Sequence, residues 1–207
     1  MFQPALQEIL SEISGATPTP GGGSVAAMGG ANGAALLAMV CRLTIGKKKY
    51  ENVSAEMEKA LVQASVIQER LAALVIEDSH AYDQVMAALK LPKETAEQNA
   101  ERQEAIQEAT RQAIAVPLET MRVCLRGLEL AELVVEKGNS NALSDGAVAA
   151  LMLEAGVQGA NLNVAINLNG LKDAEFAAEC RNEIKTLLEK ASQIKLRILE
   201  EVRQRLG

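Results

Sequence analysis

The sequence predicts an all-α protein, a helical bundle in which two small-residue, uncharged helices lie at the centre and amphipathic helices cover them. Three observations predict it. Apolar residues recur with helical periodicity along the chain, and no alternating strand pattern lasts long enough to matter. Two stretches, Ser24 to Ile45 and Ala147 to Leu168, consist almost wholly of Gly, Ala and aliphatic side chains. No Asp, Glu, Lys or Arg occurs from Ile13 to Cys41, and Glu154 is the only formal charge of the second stretch. A helix apolar all round is expected to be buried on every side.

The elements follow in order. Phe2, Leu6, Ile9, Leu10 and Ile13 share one face of a first helix that Gly15 closes. Thr17 to Pro20 then form an extended approach fixed by prolines, Gly21, Gly22 and Gly23 allow a close backbone passage, and Ser24 is a good N-cap for the first central helix. Gly46 to Tyr50 is a basic connection. Near Ser54 a long amphipathic helix begins and runs to Leu91-Pro92. Thr95 caps the next helix, in which Pro117 predicts a break or kink before the pattern resumes at Leu118 and stops at Gly138-Asn139. Ser144 and Asp145 open the second central helix. Asp173 caps a last helix bearing Cys180, Ile184, Leu187, Ala191, Ile194, Ile198 and Val202, a spacing suited to bundle packing. The reading is one domain over residues 1–207, and apolar stripes at both ends of the chain predict a homodimer.

Composition narrows the function classes. With 207 residues, 48% of them apolar, the chain can bury a substantial core. A net charge of −6 argues against nucleic acid as the main partner, which needs a basic face. Cys41, Cys124 and Cys180 are odd in number and far apart, so they read as reduced, buried thiols of a cytoplasmic protein, and with one His they make a zinc site improbable. The uncharged run is long enough to span a bilayer, but Gly and Ala gain little from hydrocarbon, Asn32 sits in its middle and no aromatic residue marks an interface. No membrane association is expected.

The long helix after Ser54 carries the most informative side chain. Its apolar stripe reads Leu71, Leu74, Val75, Tyr82, Val85 and Leu89, and the position continuing it between Val75 and Tyr82 is Asp78. A carboxylate on a core-facing stripe is costly unless it is hydrogen-bonded or functional. From the residues alone it is either a buried structural Asp or a catalytic one. His80 points away from that face, since two residues along a helix lie about 200° apart.

Several motifs together resemble the cyclodeaminase/cyclohydrolase family, the domain fused to the formiminotransferase in a bifunctional folate enzyme and also found alone. They are Pro20 to Ala27, Leu43 to Tyr50, Asp78 to Tyr82 leading to Leu91-Pro92-Lys93, and Gly138 to Asn141 through Ser144-Asp145 to Asn161–Asn167. They occur in order over nearly the entire chain. The resemblance implies a helical homodimer acting on a one-carbon-substituted tetrahydrofolate. It favours cyclisation of 5-formiminotetrahydrofolate to 5,10-methenyltetrahydrofolate with loss of ammonia, and the alternative is hydrolysis of the methenyl compound to 10-formyltetrahydrofolate. A non-catalytic folate-binding dimer is a distant third. Neither reaction requires a metal or a redox cofactor.

Asp78 matches the family's acidic catalytic position, so the resemblance implies the catalytic role. The remaining candidates sort by ligand shape. Lys47 and Lys48 with Tyr50 suit the glutamate carboxylates of a folate, polyglutamylated or not, or are a solvated loop. Gly21, Gly22, Gly23 and Ser24 offer helix N-terminal donors to a carboxylate or a pterin carbonyl. Asn163 leans towards the ligand and Asn167 towards structure. Asp145 answers either the helix dipole or the substrate, and Asn139 enters through the Gly138-Asn139 motif. Tyr82 stands where the family suggests phenylalanine, and its hydroxyl either bonds Asp78 or the ring stacks on the pterin.

Overall fold

The computed structural model describes residues 3–207. Six α-helices, with no strand among the described residues, make up the chain: α1 (Gln3–Ile13), α2 (Gly22–Thr44), α3 (Ser54–Leu89), α4 (Ala96–Lys137), α5 (Leu143–Leu168) and α6 (Ala174–Leu206). The all-α expectation and the two small-residue central helices, α2 and α5, hold. Phe2, expected on the first apolar face, lies outside the described residues. Leu6 and Leu10 of that face are 56% and 54% exposed, so α1 buries little against its own chain.

Helices α2, α3, α4 and α5 form a ring in which each packs on the next and α5 returns to α2, while α6 lies along α4 and α5. Directions alternate, because each connection is too short to do anything but reverse the chain. Lys137 at the end of α4 therefore pairs with Glu56 at the start of α3. Arg111, Arg122 and Arg197–Glu132 tie α4 to α6 in parallel, through Asp173, Glu183 and each other. Leu37, Leu71, Leu74, Met121, Leu128 and Leu153 fill the centre and are fully buried.

The glycines explain why α2 and α5 come so close. A Cβ at Gly33 would sit 2.8 Å from the Ala149 carbonyl oxygen, and one at Gly156 would sit 3.1 Å from the Ala26 carbonyl oxygen. Burial is not complete on every side, however. Inside one chain the outward faces of α2 and α5 stay open, with Val25 at 40%, Leu162 at 70% and Ile166 at 69% exposure. Helix α2 is also long and apolar enough to cross a membrane by length and composition, and here it is a packed helix of the bundle.

Two caps match expectation and two sequence signals do not. Thr95 and Gln98 form a capping box at α4, and Asp173 accepts from the Phe176 amide at α6. Ser24, by contrast, is not the N-cap of α2. The helix starts at Gly22 with Gly21 in the cap position, and Ser24 turns its hydroxyl elsewhere. Nor does α4 break at Pro117, although proline leaves the Ala113 carbonyl without its helical donor. The Asn167 side-chain amide donates to that carbonyl at 2.7 Å from α5, and the helix continues.

Candidate active site

Asp78 sits on the inner side of α3, half-buried, directly over the N-terminus of α2. The Ser24 hydroxyl donates to Asp78 Oδ2 at 2.9 Å and lies 3.3 Å from Ser79 Oγ. A Cβ at Gly23 would collide with Asp78 Oδ1, so the carboxylate rests on a bare backbone. Burial pushes the Asp78 pKa above the usual carboxylate range, with the Ser24 hydroxyl and backbone amide opposing it. A carboxylate so placed holds a proton more readily than a free one and can serve as general base and then general acid.

This group opens on a cavity of about 320 Å³ at that end of the bundle. Gly21, Gly22 and Gly23 form one wall, and Tyr82 and Val85, on successive turns of α3 beyond Asp78, form another. Asn163, Asn167 and Ile166 of α5 face them. Asn163 donates its amide to the Gly159 carbonyl at 2.9 Å and lies against Gly22. The recorded partner of Asp78 is Ser24 rather than the Tyr82 hydroxyl, so Tyr82 contributes its ring to the wall. None of the residues lining this cavity is Lys or Arg. His80 is exposed, as its helical phase requires.

The other candidates gather at the opposite end. Helix α2 has 23 residues, about 34 Å at 1.5 Å per residue, and it separates the glycine turn from Lys47 and Lys48. The basic cluster and the glycine turn are therefore parted by a whole helix. Lys47 and Lys48 border an open cleft with Gly46, Glu51 and Ser54. Tyr50 accepts from the Ser140 amide at 2.9 Å and lies 3.1 Å from its hydroxyl. Those bonds, helped by Lys49, pull the phenol down to about 8. Asn139 is buried and engaged, its side-chain amide donating to the Leu43 carbonyl and its backbone N–H donating to the Thr44 hydroxyl oxygen, both at 2.9 Å. It fastens the end of α2 to the α4–α5 turn. Asp145 lies in the first turn of α5, also at this end.

Sequence reasoning missed Thr19, Ser79 and Ile166. Thr19 and Ile166 line the cavity, and their only signals were the Thr-Pro repeat and the place of Ile166 one turn from Asn163. Asn167 was expected to be structural, and it does bond across the bundle, though it also lines the cavity. A larger groove of about 530 Å³ runs between α3 and α4, but Val62, Val66, Ile67, Leu130 and Leu133 make it mainly aliphatic. Cys41, Cys124 and Cys180 are free and buried, and burial raises the Cys41 thiol to about 11 and Cys124 to about 12, which keeps them protonated. Among the described residues no three metal-ligating side chains cluster.

Comparison with known proteins agrees with this fold. Residues 5–186 match the family model described as formiminotransferase-cyclodeaminase. A methenyltetrahydrofolate cyclohydrolase of Methylorubrum extorquens is 44% identical over 202 residues, which cover 98% of this chain and 97% of that protein. A formimidoyltransferase-cyclodeaminase of Rattus norvegicus is 36% identical over 92% of this chain, and the match spans only 35% of the rat protein's length. The crystal structure of a formiminotetrahydrofolate cyclodeaminase from Thermotoga maritima superposes with a TM-score of 0.88 at 29% identity, covering 98% of this chain and 97% of that one.

Proposed function

The chain belongs to the formiminotransferase-cyclodeaminase family, and on that premise we propose that it is a folate one-carbon enzyme that hydrolyses 5,10-methenyltetrahydrofolate to 10-formyltetrahydrofolate at the Asp78 cavity. The observation that carries the reading is the Asp78 carboxylate, desolvated, held by Ser24 and exposed to a small cavity walled by glycine backbone and asparagine amides. The likeness to a relative named for the hydrolysis, at 44% identity against 29% for the cyclodeaminase structure, supports this choice between two reactions that the site serves equally well.

In the proposed chemistry water adds to the cationic methenyl carbon while Asp78 takes one of its protons, and the amidinium π pair moves onto N5. The C–N5 bond of the resulting tetrahedral carbon then breaks, and Asp78 returns its proton to N5. The hydroxyl proton leaves to solvent and the formyl group stays on N10. A carboxylate beside the amidinium also favours the cation over bulk water. The route moves protons only, so it calls for no metal and no redox cofactor. Asn163 and the glycine-turn amides suit the pterin edge, and Tyr82 suits its face.

The cyclodeaminase reading rests on the likeness to the Thermotoga maritima structure. There N10 would attack the carbon of the protonated formimino group, Asp78 would take the N10 proton and pass it to the amino nitrogen, and the C–NH3⁺ bond would break to release ammonia and leave the methenyl cation. Purified protein incubated with each substrate separates the two. Loss of the methenyl chromophore supports hydrolysis, its appearance from 5-formiminotetrahydrofolate supports cyclodeamination, and no change in either would sink both readings.

A homodimer of cytoplasmic enzymes fits the same reading. The open apolar faces of α2 and α5 call for a cover, and three free buried thiols suit a reducing compartment.

A further inference from the structure

We propose that Pro117 is a positioning residue of the active site: it fixes the Asn167 side chain so that Asn163 and Asn167 present two acceptor oxygens in series, which read the N3–H and the 2-amino group of the substrate's pterin ring. The inference rests on the folate reading above and adds to it which ring atoms are read and what aims the groups that read them.

Both asparagine amides are oriented by the protein and not by the ligand. A backbone carbonyl only accepts, so the side-chain atom that faces it is the nitrogen. Asn163 Nδ2 donates to the Gly159 carbonyl at 2.9 Å, and Asn167 Nδ2 donates to the Ala113 carbonyl at 2.7 Å. The planar amide then sends each oxygen the other way. Neither oxygen takes a bond from another described residue, and neither is buried. The open space that both residues line is the Asp78 cavity.

The two anchors differ in kind. The Gly159 carbonyl lies four residues before Asn163 on the same helix, a bond that a short polar side chain in a helix makes locally. The Ala113 carbonyl belongs to α4, and Ala113 lines the same cavity. In an ordinary helix the amide of residue 117 would hold that carbonyl. Proline has no such amide, so the carbonyl is left for Asn167. Pro117 is buried and does not line the cavity, so its hold on the site runs through Asn167.

The order of the groups selects the ring edge. Gly22 and Gly23 head α2, where the first amides have no helical acceptor, and the Ser24 amide is turned to Asp78. Asn163 lies against Gly22, and Asn167 follows one turn on, with Cβ atoms about 5–6 Å apart. From the glycine turn outward the wall therefore offers donor, acceptor, acceptor. The 4-oxo, N3–H and 2-amino edge of a pterin is acceptor, donor, donor. The 4-oxo group flanks N5, so seating it on the glycine amides also brings the one-carbon bridge at N5 towards Asp78.

Ligand preference tests this. The affinities of tetrahydrofolate and of its 2-desamino-2-methyl analogue, which keeps N3–H and loses the amino donor, are measured for the wild type, Asn167→Ala, Pro117→Ala and the double variant. The wild type should prefer tetrahydrofolate by about 2- to 10-fold, the worth of one neutral hydrogen bond. Asn167→Ala should lose the preference. Pro117→Ala should lose most of it while melting no lower than wild type, because the restored backbone amide takes the Ala113 carbonyl and releases Asn167. The double variant should match Asn167→Ala. A wild type that binds both ligands equally overturns the proposal, as does a Pro117→Ala protein that keeps the full preference, since a proline with a purely structural role leaves the ratio alone. Failure of the wild type to bind either ligand would instead overturn the folate reading itself.

Discussion

Ser24 donates its hydroxyl to Asp78 across 54 positions of sequence, and that bond replaces the local cap Ser24 would have made at the start of α2. The carboxylate thereby meets the N-terminal amides of α2 as a capping group supplied from another helix, where the helix dipole favours negative charge. Burial works the other way, and burial is the larger effect, because the Asp78 pKa is raised. The site keeps a carboxylate poised to hold a proton, at a cost to the fold.

That cost is measurable in Asp78→Asn. An acid whose folded pKa lies above its unfolded one contributes stability below the unfolded pKa and loses it as pH rises through the folded value. The wild type is thus penalised at neutral pH, where the group is charged, and Asn is not. The variant should melt higher than wild type at neutral pH, and the gap should close as pH falls into the ordinary carboxylate range. Its kcat should fall by about 10²- to 10⁴-fold with KM changed far less. Thermal melts across pH that show an equal or reverse gap at neutrality would refute the assignment of a desolvated carboxylate.

Ser24→Ala removes the main group that holds Asp78 ionised. The acid limb of the kcat/KM profile should move to higher pH. A hydrogen bond to a charged group is worth about 1.5–3 kcal/mol, so the limb should move by about one to two pH units, with activity recovered on its alkaline side. A uniform loss at every pH would mean that Ser24 acts on the substrate instead of on Asp78.

Gly23→Ala should abolish turnover through one collision. The added methyl group meets the Asp78 carboxylate, which must swing off Ser24 or push α3 outward. Gly22→Ala is the control, since its Cβ would stand 3.6 Å from Asn163 Nδ2, an ordinary contact. Steady-state rates of the two variants check this, and comparable activity in both would remove the glycine turn from the argument.

Much of this was legible in the sequence, and the rest failed for physical reasons. The helices, the capping residues Thr95 and Asp173 and the place of Asp78 on its stripe are local or periodic, and such signals survive in a single chain. The separation of Gly23 from Lys47 was legible too, since the helix expected from Ser24 to Ile45 lies between them. Ser24 was misread because the carboxylate it serves is far away in sequence. Pro117 looked like a break because the donor that rescues it, Asn167, belongs to another helix.

The rescue of Pro117 yields the last prediction. The Ala113 carbonyl is four residues before Pro117, in a buried segment of α4, and the Asn167 amide is its partner at 2.7 Å. Asn167→Ala leaves that oxygen unsatisfied, which costs about 1–3 kcal/mol. Pro117→Ala restores a backbone N–H that can donate to the same carbonyl, so in that background the loss of Asn167 should cost much less. Urea unfolding of the wild type, both single variants and the double variant closes the cycle, and effects of proline on the unfolded chain cancel in it. A coupling of at least about 1 kcal/mol is expected from the shared carbonyl. Strict additivity would show that α4 passes Pro117 without help from α5, and that Asn167 is held in the cavity wall for its contact with substrate alone.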